Sequence, residues 1–198
     1  MVLGVEPSAA LVRTALKAGR TVVRGVGNEI PLPDASVKCV ISERVLQHVA
    51  DIPAVLKEVG RVLQIDGLLL LADPDHAAVR LSVPHLQDLA DRLVRWRARV
   101  GTASPAAVSI SQDWLSDHGY TVTKETFWCS TADFTDARVV TNFPEWAQLS
   151  KDAGESVSDE DVAAWEERWR SVVGSQVTGD AWFNCPIVVT EASKTGAD

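Results

Sequence analysis

The stretch VKCVISERVLQHVADIPAVLKEVGRVLQIDGLLLLADPD, residues 37–75, decides the fold. It opens on a short β-branched run, Val37 to Ile41, which reads as a strand. Asp51 and Pro53 then supply a cap and a first-turn proline, and Val55, Leu56, Val59, Val62 and Leu63 recur at helical spacing on one face. Asp66-Gly67 is expected to close that helix. Gly67 to Ala72 is apolar at every side-chain position, as a strand covered on both faces of a parallel sheet requires.

The same grammar extends toward the N-terminus. Val2 to Val5 reads as a strand, and Ser8 caps a helix with Leu11, Val12, Ala15 and Leu16 on its apolar face and Gly19 at its end. Thr21 to Val26 reads as a further strand, followed by a turn at Ile30-Pro31-Leu32-Pro33-Asp34. Strands alternating with helices predict a doubly wound α/β sheet.

Beyond Pro74 the texture changes. Pro84 to Val100 reads as a helix with Leu86, Leu89, Leu93, Trp96 and Val100 as its stripe. Gln112 to His118 reads as a short helix, and Tyr120 to Cys129 alternates like a strand. Ser158 begins a helix that carries Val162, Trp165, Trp169 and Val172 on one face, with Gly174 as its stop. Trp182 to Thr190 reads as a last strand, and Thr102 to Val108 and Lys151 to Ser158 as loops. All twelve aromatic residues, seven of them Trp, lie beyond residue 95. Trp165 and Trp169 are expected in the core, whereas Trp96, Trp128 and Trp146 sit near element ends, where a pocket recruits large rings.

Composition narrows the function classes. The 198 residues suit one domain, 1–198. The formal net charge of −8 is concentrated beyond residue 100 and lacks the basic footprint of nucleic-acid binding. The arginines at 92, 95, 97 and 99 read as a solvated helix face. No apolar run is long enough to span a bilayer, and the N-terminus does not read as a signal peptide, so a cytoplasmic protein is expected. Cys39, Cys129 and Cys185 are far apart and read as small core hydrophobes. The four histidines, His48, His76, His85 and His118, lack metal-ligand spacing, and no metal is expected.

Five ordered stretches carry a resemblance: Gly4-Val-Glu-Pro-Ser8, Pro31-Leu-Pro-Asp34, Val40 to His48, Arg61-Val-Leu63 with Gly67, and Leu70 to Asp75. At this spacing the chain resembles class I S-adenosylmethionine-dependent methyltransferases of the menaquinone/ubiquinone-biosynthesis type. The resemblance implies a Rossmann-like sheet of order 3-2-1-4-5-7-6, of which this chain holds the second to seventh strands, with 1–78 as a remnant nucleotide-binding half and 79–198 as the half that holds the substrate cavity and the C-terminal strands. The first strand, its Gly-rich turn and the first helix have no counterpart before Glu6. Glu6 matches the acidic residue that binds the cofactor's ribose hydroxyls and is read as vestigial. Val26 stands where the family has an acceptor for the adenine amino group, and Lys38 replaces a common acidic residue. Leu32 stands where the family often has an aromatic and can still line an adenine-sized pocket.

In an open α/β sheet the site lies beyond the carboxyl ends of the strands. Glu43, His48 and Asp73 are therefore the candidates for catalytic polar roles. Gln47, His76, Trp96, Trp128 and Trp146 are the candidates for substrate binding. With the cofactor loop absent, the expected function is a cofactor-independent cyclase, which folds an apolar polyketide polyene for an intramolecular cycloaddition. The resemblance is compatible with methyltransferase-like cyclases of natural-product and antibiotic pathways, and such chemistry rests on positioning and a few hydrogen-bond donors. No cofactor is expected on this reading, and a homodimer is. The alternatives are an S-adenosylmethionine-dependent small-molecule methyltransferase with a further N-terminal portion, and a non-catalytic partner subunit of an active methyltransferase.

Overall fold

The computed structural model describes residues 2–127, 130–131, 143–173 and 182–195. They belong to two compact units. Unit 1 comprises residues 1–73, 107–125 and 188–198, and unit 2 comprises residues 74–106 and 126–187.

In unit 1, β1 (Gly4–Glu6) leads into α1 (Ala9–Lys17), and Ser8 caps that helix by accepting from the Leu11 backbone N–H. β2 (Val22–Arg24) lies parallel to β1, with Val5 opposite Val23. β3 (Val37–Glu43) leads through a 3-10 turn, Leu46–His48, to α2 (Ile52–Val62). Asp51 caps α2 by accepting from Ala54 N, and Ile52, Val55, Leu56, Val59 and Val62 are buried along its length. β4 (Leu63–Pro74) follows without a connecting loop and runs parallel to β3.

Asp66-Gly67 thus lies within a strand instead of ending the helix. Asp66 takes a φ of 60°, and the register jumps from Val37 opposite Leu63 to Cys39 opposite Leu68. The extra residues on β4 form a bulge. A Cβ on Gly67 would stand 2.7 Å from Gln64 O, so the bulge requires glycine there.

Unit 1 is completed by α4 (Ala107–Asp117), β6 (Tyr120–Phe127) and β9 (Ile187–Lys194). The strand order is β3-β4-β9-β6 in one sheet, with β1-β2 as a separate pair. This is the order implied by the resemblance with its central strand left out. The core of unit 1 gathers Leu46, Leu56, Leu63, Leu69, Leu71 and Leu115 among α2, α4 and the four-stranded sheet.

In unit 2, β5 (Arg80–Ser82), β7 (Ser130–Thr131) and β8 (Trp182–Asn184) form a small antiparallel sheet of order β5-β8-β7. Three helices join it: α3 (Gln87–Gly101), α5 (Trp146–Asp152) and α6 (Asp159–Val173). Ser158 and Asp161 cap α6 reciprocally, each side chain accepting from the other's backbone N–H at 3.0 and 3.1 Å. The expected last strand, Trp182 to Thr190, is two strands, β8 and β9. Pro186 has no N–H to donate to a ladder and falls between them.

Trp165 and Trp169 are fully buried as expected, and Trp165 Nε1 donates to Phe143 O at 2.6 Å. Cys39 departs from expectation. It is exposed, because nothing described covers the side of β3 that presents it. Cys185 is half-buried, and Cys129 lies outside the described residues. No described helix is long and apolar enough to cross a membrane.

Candidate functional site

The ends of β3 and β4 bring four predicted residues together. Glu43, the last residue of β3, pairs in register with Ala72, and Asp73 follows on β4. The chain then reverses at Arg44, whose φ of 55° is a left-handed conformation for a residue with a side chain, and whose N–H donates to Ala72 O at 2.8 Å. That reversal turns Leu46, Gln47 and His48 back over the end of β4. The Gln47 backbone N–H donates to Asp73 Oδ1 at 3.4 Å, and Gln47 Nε2 donates to Arg44 O at 3.3 Å.

Asp73 is 2% exposed, and its second oxygen, Oδ2, has no hydrogen-bond partner. Burial pushes its pKa above the usual carboxylate range. The Gln47 and Leu46 N–H groups and the nearby charges of His48 and Arg44 oppose that shift. Asp73 therefore anchors the turn that presents His48, which is itself exposed, as is Glu43. The arrangement offers an exposed imidazole and an exposed carboxylate on a backbone fixed from beneath by a buried acid.

Glu6 stands at the end of β1, half-buried, with Oε1 accepting from Ser8 N at 2.7 Å. Its other oxygen has no described partner and remains a free acceptor. Val26, bridged to Glu29, has an exposed side chain and offers no acceptor, and Leu32 is half-buried. These residues do not fit S-adenosylmethionine by themselves, because β1 and β3, whose ends would flank the cofactor, have no strand or turn between them among the described residues.

Trp96 and Trp146 are buried in the packed core of unit 2, with Phe143, Trp165 and Trp169. Phe143 lies 4.4 Å from Trp146 and 5.3 Å from Trp169 between ring centroids. His76 is half-buried in unit 2, and Trp128 lies outside the described residues. Among the described residues no group of three or more His, Cys, Asp or Glu is placed to hold a metal ion.

Arg61 was not singled out for any role, yet it clamps the turn that precedes β3. It donates to Ile30 O and Leu32 O at 3.0 and 2.9 Å, and it pairs with Asp34 at 2.5 Å and Glu58 at 2.7 Å. Glu58 completes the clamp by accepting from Ile30 N at 2.8 Å. An arginine followed by apolar residues at a helix end is an ordinary pattern. Only its distance from the 30–34 turn, bridged by the fold, reveals this role.

Residues 1–71 match the family model described as a methyltransferase domain. Among curated proteins, a 37.1 kDa protein in a transposon of Streptomyces fradiae is 34% identical over 91 residues, 43% of this chain and 26% of that protein. A Mycobacterium tuberculosis protein named "Probable S-adenosylmethionine-dependent methyltransferase" is 43% identical over 47 residues, 24% of this chain and 17% of that protein. The matched segments thus span about a quarter or less of these relatives' length. Among solved structures, the YcgJ protein of Bacillus subtilis aligns over 98% of this chain and 82% of its own, at 18% identity and a TM-score of 0.62. The phosphoethanolamine N-methyltransferase 2 of Haemonchus contortus covers 98% of this chain and 44% of its own, at 15% identity and a TM-score of 0.52. The [4+2]-cyclase SpnF aligns at 14% identity with a TM-score of 0.48, too distant a likeness to favour one chemistry.

Proposed function

We propose that this chain, class I S-adenosylmethionine methyltransferase-like in its first 71 residues and in its fold, serves a small-molecule methyltransferase. On this reading the cofactor wall is completed by one further strand laid between β1 and β3. The observation that carries the reading is the divided sheet. β1 pairs with β2 and β3 with β4, and neither has a second partner among the described residues. Ile41, in the middle of β3, is 70% exposed, and Cys39 on the same strand is exposed too. A sheet built to end at β3 would protect that edge with charges, a proline or a covering loop, and only Lys38 and Glu43, near the strand's two ends, play that part. In the completed site Glu6 would accept from the ribose hydroxyls, Leu32 would line the adenine side, and Asp73 would hold His48 toward the substrate.

The test is calorimetry with S-adenosylhomocysteine on the protein isolated from its own cells with whatever it carries. Saturable binding that Glu6→Ala abolishes is expected. Failure to bind would remove methyl transfer from consideration.

One observation favours a second reading. Val26 gives the adenine amino group nothing to donate to, which suits a scaffold that has lost its cofactor and cyclises an apolar polyene by positioning alone. Conversion of a linear polyene in the absence of S-adenosylmethionine would establish it. The burial of Trp96 and Trp146 in the unit 2 core withholds two of the rings that such a cavity was expected to use.

A further inference from the structure

A groove of about 600 Å³ opens on unit 1 among α2, α4, β6 and β9, and it shares no residue with the strand-end cluster or with Glu6. α2 contributes Lys57 and Gly60, three positions apart and so on one face. Trp114 of α4 and His118, just past that helix's end, stand one turn apart. Their rings stack at 4.0 Å with 9° between planes, and His118 Nδ1 lies 2.7 Å from Trp114 O.

Tyr120 of β6 and Lys194 of β9 both meet α2 at Gly60. Lys194 Nζ donates to Gly60 O at 2.7 Å and to Leu63 O at 3.2 Å, which leaves its third N–H unused. The Tyr120 hydroxyl lies 2.8 Å from the place a Cβ on residue 60 would occupy, so glycine is what admits it. Tyr120 is 9% exposed and its hydroxyl has no hydrogen-bond partner. Burial raises the phenol's pKa, so it stays a donor through neutral pH. Lys57 is exposed, and among the described residues it forms no ion pair. Asp51, at the groove's other end, already spends Oδ1 on the Ala54 N–H.

Two ammonium groups, a donor without an acceptor and a stacked aromatic pair thus line one concavity, with the single carboxylate of Asp51 at its other end. A bare inorganic anion would leave most of the volume and the Trp114–His118 face unused. A neutral ring without an acceptor would leave the Tyr120 hydroxyl and the third N–H of Lys194 unused. We propose that this groove binds a small planar aromatic carboxylate. The ring lies on an outer face of the stacked Trp114–His118 pair beside Tyr120, and the carboxylate accepts from Lys57, the third N–H of Lys194 and the Tyr120 hydroxyl. The inference is independent of methyl transfer.

The test titrates the isotope-labelled chain with indole-3-carboxylate by heteronuclear NMR, with indole-3-carboxamide and inorganic phosphate as controls. The carboxylate should shift the amides of residues 57, 60, 114, 118, 120 and 194 together, and the carboxamide should bind about tenfold more weakly or worse. Tyr120→Phe should weaken the carboxylate about tenfold while leaving Tm unchanged or higher, because the hydroxyl has no partner to lose. Lys57→Gln should weaken it several-fold. The proposal is overturned by an absence of shifts at millimolar ligand, by equal binding of the carboxamide or phosphate, by unchanged binding to Tyr120→Phe, or by a fall in that variant's Tm.

Discussion

Two strand–helix segments of unit 1 are written in the same grammar and meet different fates. α1 and α2 are both capped by a side-chain oxygen and both carry an apolar face. Yet α2 buries five residues, whereas α1 buries none, with Leu11 57% exposed and Leu16 53% exposed. The difference lies in what stands opposite. α2 faces β3, β4 and α4 and shares their core, whereas α1 packs beside the pair β1 and β2 and joins no described core cluster. An amphipathic period states that a face wants covering; it does not name the cover.

The largest expected effect tests the covered side. Leu56→Ala should destabilise unit 1 by about 2–5 kcal/mol in chemical denaturation, since it opens a cavity in a fully buried site. Leu11→Ala, the matching change on α1, should stay within about 0.5 kcal/mol. A loss at Leu11 that approaches the Leu56 value would mean that α1 is covered in solution, by a second copy or by another chain. Hydrogen exchange sharpens the same point. Amides of β1 and β3 should exchange far faster than those of β4, which has a neighbour on each side. Slow exchange throughout β3 would mean that a strand occupies the gap.

The two segments are joined by the Glu58–Arg61 clamp on the 30–34 turn, which gives an effect of intermediate size. The hydrogen bond from Arg61, then that from the Ile30 N–H, hold the Glu58 carboxyl below its usual pKa against the opposing push of burial. Its stabilisation is therefore complete above the unfolded-state value of about 4.3 and is lost as pH falls through the lower folded value. Glu58→Gln should cost about 1–2 kcal/mol at neutral pH, with the difference from the parent protein vanishing in acid. A pH-independent loss would mean that Glu58 acts by packing alone.

How much of this was legible depends on the range of the interaction concerned. Ser8, Asp51 and Ser158 were readable as caps because a cap spans three residues. Trp165 and Trp169 were readable as core because their spacing is helical. The strand order followed from the ordered stretches between Gly4 and Asp75. Asp66-Gly67 misled because the same pair suits a helix stop and a strand bulge, and only the partner strand decides between them. The single strand expected over Trp182 to Thr190 failed for a related reason, since two sheets, one in each unit, claim its halves. Asp73 lies near the end of β4 and His48 in the turn after β3. The burial that makes Asp73 an anchor depends on Leu46 and Gln47 folding back over it, and no local pattern encodes that.

The smallest expected effect concerns that anchor, and its sign is opposite to that of Glu58. Burial is the largest influence on Asp73 and raises its folded pKa, so the unfolded chain releases the proton first. Its contribution to stability is present in acid and falls as pH rises from about 3.9, the unfolded value, through the higher folded one. Asp73→Asn retains an oxygen to accept from the Gln47 N–H and removes the ionisation. At neutral pH the variant should be as stable as the parent protein or more so, by up to about 1 kcal/mol, and the two should converge below pH ~4. Thermal melts across that range decide the point. A variant less stable at neutral pH would mean that Oδ2 has found a donor in solution. His48, already close enough to lower the Asp73 pKa, is the first group to examine, because such a bond would make the buried acid and the exposed imidazole one proton-sharing unit.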